Sequence, residues 1–364
     1  MSNLPYHLQS WLSATAERLD TKADAAFDIL PALAEAGLFR LGVAEPMDGS
    51  GGDVADAVAA VAAVSQESLA AGFVFWGHRA FIEYLLQSPN EELRHRLLPD
   101  LLAGRRAGAT ALSNAMKFLA GIEELQIKAQ RVADSSLLEL DGKMPWVTNL
   151  RPQGFDVAAA IAGPQGRPGF IAVLSSDDDG VLRSADLDLM AMRATNTAAV
   201  DVRNVRIGSD RIVHANASEW LPRVRPAFLG LQCGMSIGLA RRAIHEAEAK
   251  LSGSRDVLTA PCRDLTANLI KHETLLHEGL RDGRFIEQAA LLFRIRIVLA
   301  EIAAEAVQLE LQSSGGRAYL SQPGQGFQRR LREVAFIPVI TPSVVQLKTV
   351  LQAREQNLFV SEVA

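Results

Sequence analysis

Apolar positions recur at helical spacing over the first hundred residues. Leu30 and Leu33, then Leu38 and Phe39, bracket a stop at Gly37. Pro46 leads into Met47-Asp48-Gly49-Ser50-Gly51-Gly52, a loop by composition. Asp53 then stands where a side chain can cap the helix that follows, over residues 54–69. That Ala/Val-rich stretch has few charges, which predicts burial on most sides. Phe73, Phe75, Trp76, Phe81 and Leu85 continue the apolar helix, and 91–102 is a shorter amphipathic one ending at Gly104. From about 110 to 210 the period changes. Short stretches at 107–112, 126–131, 137–140, 146–148, 156–161, 170–174 and 197–207 are broken by Gly, Asp, Pro and Asn. Ala198, Val200 and Val202 beside Asp201 and Arg203 alternate with period two, so the expectation is a small antiparallel β unit. Helical spacing returns at Pro222 with Phe228, Leu231, Met235, Leu239 and Ala243. Further helices are expected over 261–279, over 285–312 and after Pro342, as an antiparallel bundle.

Blocks of helices, strands and helices argue for an α+β chain with segregated layers. The expected division is an N-terminal helical domain at 1–109, a middle antiparallel β domain at 110–215 and a C-terminal four-helix bundle at 216–364. Composition narrows the setting. Apolar residues make up 48% and charged residues 22%, an ordinary globular balance. No run reaches the roughly 18 uninterrupted apolar residues of a membrane span, and the first twelve residues have no signal-peptide pattern. The net charge is −5 with no basic stripe, so neither nucleic acid nor membrane is an expected partner. Two cysteines, Cys233 and Cys262, exclude a disulfide framework and suit a reducing cytoplasm.

Five segments, in order, carry a resemblance. They are Leu41-Gly42-Val43-Ala44-Glu45-Pro46; Leu98 to Gly104 leading to Ala111-Leu112-Ser113; Leu140-Asp141-Gly142-Lys143-Met144-Pro145-Trp146-Val147-Thr148-Asn149; Met190 to Thr197 with Val205-Arg206-Ile207; and Gln312-Ser313-Ser314-Gly315-Gly316. In this order they resemble the acyl-CoA dehydrogenase superfamily over nearly the whole chain. The resemblance implies a flavin-dependent oxidoreductase that moves a hydride from an acyl-CoA or related substrate to FAD. An isoalloxazine ring needs an apolar or aromatic wall and a few polar groups along its edge. The family supplies these from positions that correspond here to Trp146 and Thr148, with Leu112 and Ser113 at a neighbouring strand end. Gln312 and Gly316 match the family's turn against the flavin's adenylate half across a subunit boundary, and Arg255 matches a cation for the pyrophosphate. The resemblance therefore also implies a homodimer or homotetramer. It does not name the electron acceptor.

The chain departs from the family where the chemistry is sharpest. The α-proton of a thioester has to be taken by a base, usually a Glu in a Tyr-Glu-Gly-Thr segment. Aligned on Gln346, that segment reads Val339-Ile340-Thr341-Pro342, with Ile340 in the place of the Glu. A second family location for the base falls on Ala227. The nearest carboxylates in sequence are Glu333 and Glu246, and the catalytic residue stays unassigned. The family's Thr-Glu-Pro-x-x-Gly-Ser-Asp loop reads Ser113-Asn114-Ala115-Met116-Lys117-Phe118-Leu119-Ala120, without its Gly-Ser pair. The Arg-x-x-Phe-Gly segment keeps only Arg255. These losses leave open a reduced-flavin monooxygenase on the same fold, with reduced FMN as the alternative cofactor and an apolar cavity that shields the reacting centre from water. A binding protein without turnover is a third class.

Three other motifs compete. Gly234-Met235-Ser236-Ile237-Gly238 has the spacing of a serine-hydrolase elbow, but it lies inside a helical period, where Gly230, Gly234 and Gly238 more simply admit a neighbouring helix. His272 and His277 are five apart and face apart on a helix, which argues against a metal pair. Asp177-Asp178-Asp179-Gly180 lacks the later Glu of a calcium loop and reads as a hairpin turn.

Overall fold

A computed structural model describes residues 4–119, 121 and 123–363. Five helices come first: α1 (Tyr6–Thr21), α2 (Ile29–Glu35), α3 (Val54–Glu67), α4 (Leu69–Leu86) and α5 (Glu91–Leu102). The sheet follows, with β1 (Ala107–Thr110), β2 (Ile127–Arg131), β3 (Leu138–Val147), β4 (Phe155–Ala162), β5 (Phe170–Ser175), β6 (Val181–Asp186), β7 (Ala198–Ile207) and β8 (Ile212–His214). One helix, α6 (Ser113–Leu119), interrupts it after β1. The chain ends in α7 (Ala217–Glu248), α8 (Thr259–Arg281), α9 (Ala289–Ser314), α10 (Gln325–Phe336) and α11 (Val344–Val363).

Local chemistry sets the start of α3. The Asp53 carboxylate accepts from the backbone N–H of Ala55 (2.8 Å) and Asp56 (3.3 Å), and Asp56 accepts from Asp53 N–H in return (2.9 Å). The helix then packs on α7 through glycines. A Cβ on Gly234 would lie 2.8 Å from the Val58 carbonyl oxygen, and one on Gly238 2.1 Å from that of Ala62. The four-residue glycine spacing thus serves helix approach. Ser236 lies fully buried within α7, so the elbow reading fails for want of an exposed hydroxyl. Both cysteines are free and buried, packed as small apolar side chains. Burial pushes the Cys233 thiol up to about 12.

The sheet runs β6-β7-β3-β2-β4-β5-β8, with β1 on β4. It is antiparallel except that β4 takes both β1 and β2 as parallel neighbours, so the antiparallel expectation needs that correction. Asp177–Gly180 is not a hairpin. It connects β5 to β6, which lie far apart in the sheet. Its carboxylates serve arginines, Asp177 with Arg106 (2.9 Å) and Asp178 with Arg211 (2.7 Å). Among the described residues no cluster of His, Cys, Asp and Glu is arranged to hold a metal. The C-terminal block also exceeds four helices, because α10 inserts between α9 and α11. The stretch Gln325–Arg354 contains an 18-residue window with the mean hydropathy (1.6) of a membrane span. Pro338 and Pro342 interrupt it between α10 and α11, and the buried side chains of Arg329 and Arg330 lie within it.

His78 locks the helical block to the sheet. Its Nε2 lies 3.0 Å from the Leu101 carbonyl, and its Nδ1 accepts from Gly108 N–H at 3.0 Å. That pairing requires the neutral ring, and burial lowers its pKa to about 4. The unfolded chain therefore binds the proton first as pH falls below the ordinary value of 6.5. Stability is full above that value and is lost down to about pH 4, by about 3 kcal/mol from this group. Thermal melts of the native chain and His78→Gln between pH 7 and 4 test this. The native curve should carry an extra slope in that window, and equal slopes would refute it.

Candidate functional site

A cavity of about 550 Å³ opens where β3 and β4 meet α4, α6 and α10. The sheet side contributes Thr110, Ala159, Ala160 and residues Lys143 through Thr148. The helical side contributes Phe73, Trp76, Phe336, Val339 and Ile340. Phe73 stacks on Trp76 at 5.3 Å, and Phe336 meets Phe73 edge-on at 4.9 Å. Trp76 Nε1 donates to the Phe228 carbonyl, so this aromatic wall is fixed from behind.

The opposite wall is different. Trp146 lines the cavity with half its surface exposed, although it is the largest aromatic of its strand. Beside it Thr148 is buried, and its Oγ1 lies 3.0 Å from Thr197 Oγ1, which in turn lies 2.8 Å from Thr195 Oγ1. Each hydroxyl carries one proton and two acceptor sites. A chain donating from Thr195 through Thr197 to Thr148 leaves the Thr148 proton for a ligand. A bare indole face next to an uncommitted hydroxyl fits the edge of a planar heteroaromatic ring, the arrangement a flavin requires.

The polar groups of the cavity are few. Arg332 is held by Asp20 (2.6 Å) and Glu17 (3.2 Å), and Asp20 also accepts from Met192 N–H at 2.8 Å. Lys117 donates to Glu123 at 2.6 Å, and Asn114 donates to the same carboxylate at 3.2 Å. The Lys117 ammonium holds the Glu123 carboxyl below its ordinary value. Glu123 is the only carboxylate among the described residues of the wall.

The sequence-derived positions divide in two. Ser113, Trp146 and Thr148 share this cavity, and Ile340 lines it as well. Leu112 is not among the residues that line it, and its side chain is buried. Arg255, Gln312 and Gly316 are not brought to the cavity. Gln312 and Gly316 are exposed at the end of α9, and Arg255 Nη2 would stand 3.7 Å from a Cβ on Gly315. Arg255 lines a second, polar cavity of about 640 Å³ among α1, α7, α9 and α10. Ala227 is buried in α7 and, like Ile340, brings no acid. The two sequence-nearest carboxylates fall away. Glu246 faces the polar cavity, and Glu333 is fully buried, accepting from Leu69 N–H at 3.2 Å. Burial raises the pKa of Glu333, but its carboxylate does not line the substrate-sized space. The segment expected as a flavin loop is helix α6. Sequence reading missed Glu123, Lys117 and the Phe73–Trp76 wall. Only the wall had a signal, in the aromatic density of α4.

Comparison with known proteins agrees with this geometry. The family described as acyl-CoA dehydrogenase, N-terminal domain, matches residues 8–105. A probable acyl-CoA dehydrogenase of Mycobacterium tuberculosis is 23% identical over 322 residues, covering 86% of this chain and 74% of that protein. Butyryl-CoA dehydrogenase from Megasphaera elsdenii has the same fold, with a TM-score of 0.80 at 15% identity, over 98% of this chain and 100% of that one. Dibenzothiophene monooxygenase from Paenibacillus sp. A11-2 superposes as well, with a TM-score of 0.78 at 18% identity, over 96% and 95%.

Proposed function

The chain belongs to the acyl-CoA dehydrogenase superfamily, and from that premise we propose that its 550 Å³ cavity holds the isoalloxazine of FAD beside an acyl-CoA or related apolar substrate. It is a flavin-dependent oxidoreductase. The observation that carries the placement is Trp146, half exposed into the cavity next to the Thr148–Thr197 hydroxyl chain. Bound there, the flavin supplies the hydride acceptor. The chain's own part is to present an indole face, offer the Thr148 hydroxyl and Ser113, and exclude water with the Phe73–Trp76–Phe336 wall. Arg255, Gln312 and Gly316 lie outside this cavity and on the surface of the bundle. We assign them to the nucleotide half of a neighbouring subunit's flavin, in a homodimer or homotetramer of the cytoplasm. Apolar side chains on the outer C-terminal helices, such as Val345 at 72% exposure, support a further protein surface there.

Ile340 favours a second reading. By the alignment it stands in the place of the family's base, and Glu123, paired with Lys117, is the one carboxylate among the described residues of the cavity wall. A reduced-flavin monooxygenase, with FMN as the alternative cofactor, needs a closed apolar chamber and not that base. Titration of the apoprotein with FAD, followed by flavin fluorescence and light scattering, tests the assignment. Tight binding by an oligomer is expected, with a clear loss of affinity in Trp146→Ala. No binding by the native chain, undiminished binding by the variant, or a flavin-loaded monomer would contradict it.

A further inference from the structure

We propose that Arg225 and Arg354 form an anion-binding entrance to the cavity, which takes the phosphoryl or carboxylate head of a substrate whose apolar stem reaches inward. This rests on the placement of substrate in the 550 Å³ cavity and adds the class of molecule that enters it.

Arg225 lies on α7 and Arg354 on α11, and both guanidinium groups sit over one ring, Phe293 of α9, at 5.5 and 6.0 Å from its centre. They line a hollow of about 90 Å³ at the edge of the main cavity. Lys117 belongs to the walls of both spaces, and Pro342 of the hollow follows Thr341 of the cavity. Apart from the amide of Gln346, the remaining wall is apolar, from Met116, Leu119, Leu347 and Val350.

Other half-buried or buried arginines of this chain have acceptors. Arg79 has Glu83, Arg106 has Asp156, Arg330 has Glu310 and Arg332 has Asp20. Arg151 and Arg296 donate to backbone carbonyls. Arg225 has no carboxylate or carbonyl acceptor among the described residues, and its Nε is buried without a partner. Desolvation, and then the like charge of Arg354, disfavour its charged form. An aromatic face offsets only part of the cost of taking a guanidinium from water, and a second like charge on the same ring adds to it. The half-buried Arg225 guanidinium with the exposed Arg354 beside it is complementary to an oxyanion, which the two can bind with several charge-assisted hydrogen bonds. The apolar rim and the continuity with the cavity make the ligand an amphipathic acid rather than a free inorganic anion.

Calorimetry on the purified protein with octyl phosphate, octanoate and 1-octanol tests this. At least one of the two acids should bind tenfold or more tightly than the alcohol, with affinity falling as salt is raised. A preference for octyl phosphate identifies a phosphoryl head, and a preference for octanoate a carboxylate. Arg225→Gln and Arg354→Gln should each abolish the preference, while Arg263→Gln, an exposed arginine of α8, should keep it. Arg354 is exposed, so its variant reads out binding even where Arg225→Gln fails to fold. Equal binding of acid and alcohol, or a preference retained in Arg354→Gln, overturns the proposal. Flavin titration of the same proteins separates the two ideas. Retained flavin with lost acid preference supports the entrance, and lost flavin in the native chain defeats the cofactor placement alone.

Discussion

Gly238→Ala should lower the melting temperature by roughly 4 °C, the result of about 3 kcal/mol of destabilisation in a chain of this size. Helix propensity alone predicts the opposite sign, because alanine is better than glycine inside a helix by about 1 kcal/mol. Sterics decide it. The new Cβ would stand 2.1 Å from the Ala62 carbonyl oxygen and 2.8 Å from the Gln66 nitrogen, both backbone atoms of the facing helix. Neither can swing aside as a side-chain tip can, so α3 and α7 must separate along their contact. Gly234→Ala should cost less, since its closest contact is 2.8 Å. Gly316→Ala is the control: nothing lies within 4 Å of its Cβ position, so its melting temperature should stay put. Differential scanning calorimetry of the three variants checks the order. A Gly238→Ala protein as stable as the native chain would show that the two helices are not held at this distance.

Those glycines were readable in the sequence because a four-residue repeat inside a helical period has few other uses. Asp53 was readable for a similar reason: capping is local, and the side chain and its donors lie within three residues. Trp146 and Thr148 were found only through a resemblance, since nothing in their spacing distinguishes a cavity wall from a strand core. Helix α10 was missed although Phe327, Arg330 and Val334 keep helical spacing. Its arginines and Glu333 are buried, with Arg330 bound to Glu310 on α9 at 2.7 Å and Arg329 donating to the Glu67 carbonyl at 3.0 Å. The partners are 20 and 262 residues away, so no local pattern announces them. The parallel pairing of β1 and β2 with β4 was hidden for the same reason. Strand pairing is a non-local choice, and β1 and β4 are separated in sequence by a helix and a hairpin. Segment 113–119 misled in another way. Its match to a family loop suggested a loop, but with Ala115 at the family's Pro position and Phe118 and Leu119 in place of the Gly-Ser pair, no helix breaker remains and the segment closes into α6.

Flavin-loaded native protein should be reduced slowly, or not at all, by butyryl- or octanoyl-CoA, and Ile340→Glu should accelerate that reduction. General-base assistance typically contributes a hundred- to ten-thousand-fold, or about 3–5 kcal/mol of barrier, and an isoleucine supplies none of it. The structure sharpens the expectation. Ile340 lines the cavity and is almost fully buried, while Glu333 and Glu246, the acids nearest in sequence, are directed elsewhere. The introduced carboxyl would share that apolar wall with Phe336 and Val339, so desolvation would raise its pKa. The rate in Ile340→Glu should therefore climb with pH as the acid ionises, whereas the native rate should show no such rise. Stopped-flow absorbance of the oxidised flavin band gives both numbers. Rapid bleaching of the native protein would mean that a base is already present. Glu123 would then be the candidate, since it alone among the described lining residues carries a carboxylate. Its pairing with Lys117 keeps it ionised but makes it a weak base, and Glu123→Gln would separate the cases. Loss of bleaching in that variant would assign the proton to Glu123. An unchanged slow rate in native protein, Glu123→Gln and Ile340→Glu alike would remove thioester dehydrogenation from the chemistry of this cavity and leave oxygen transfer by reduced flavin as the reading to pursue.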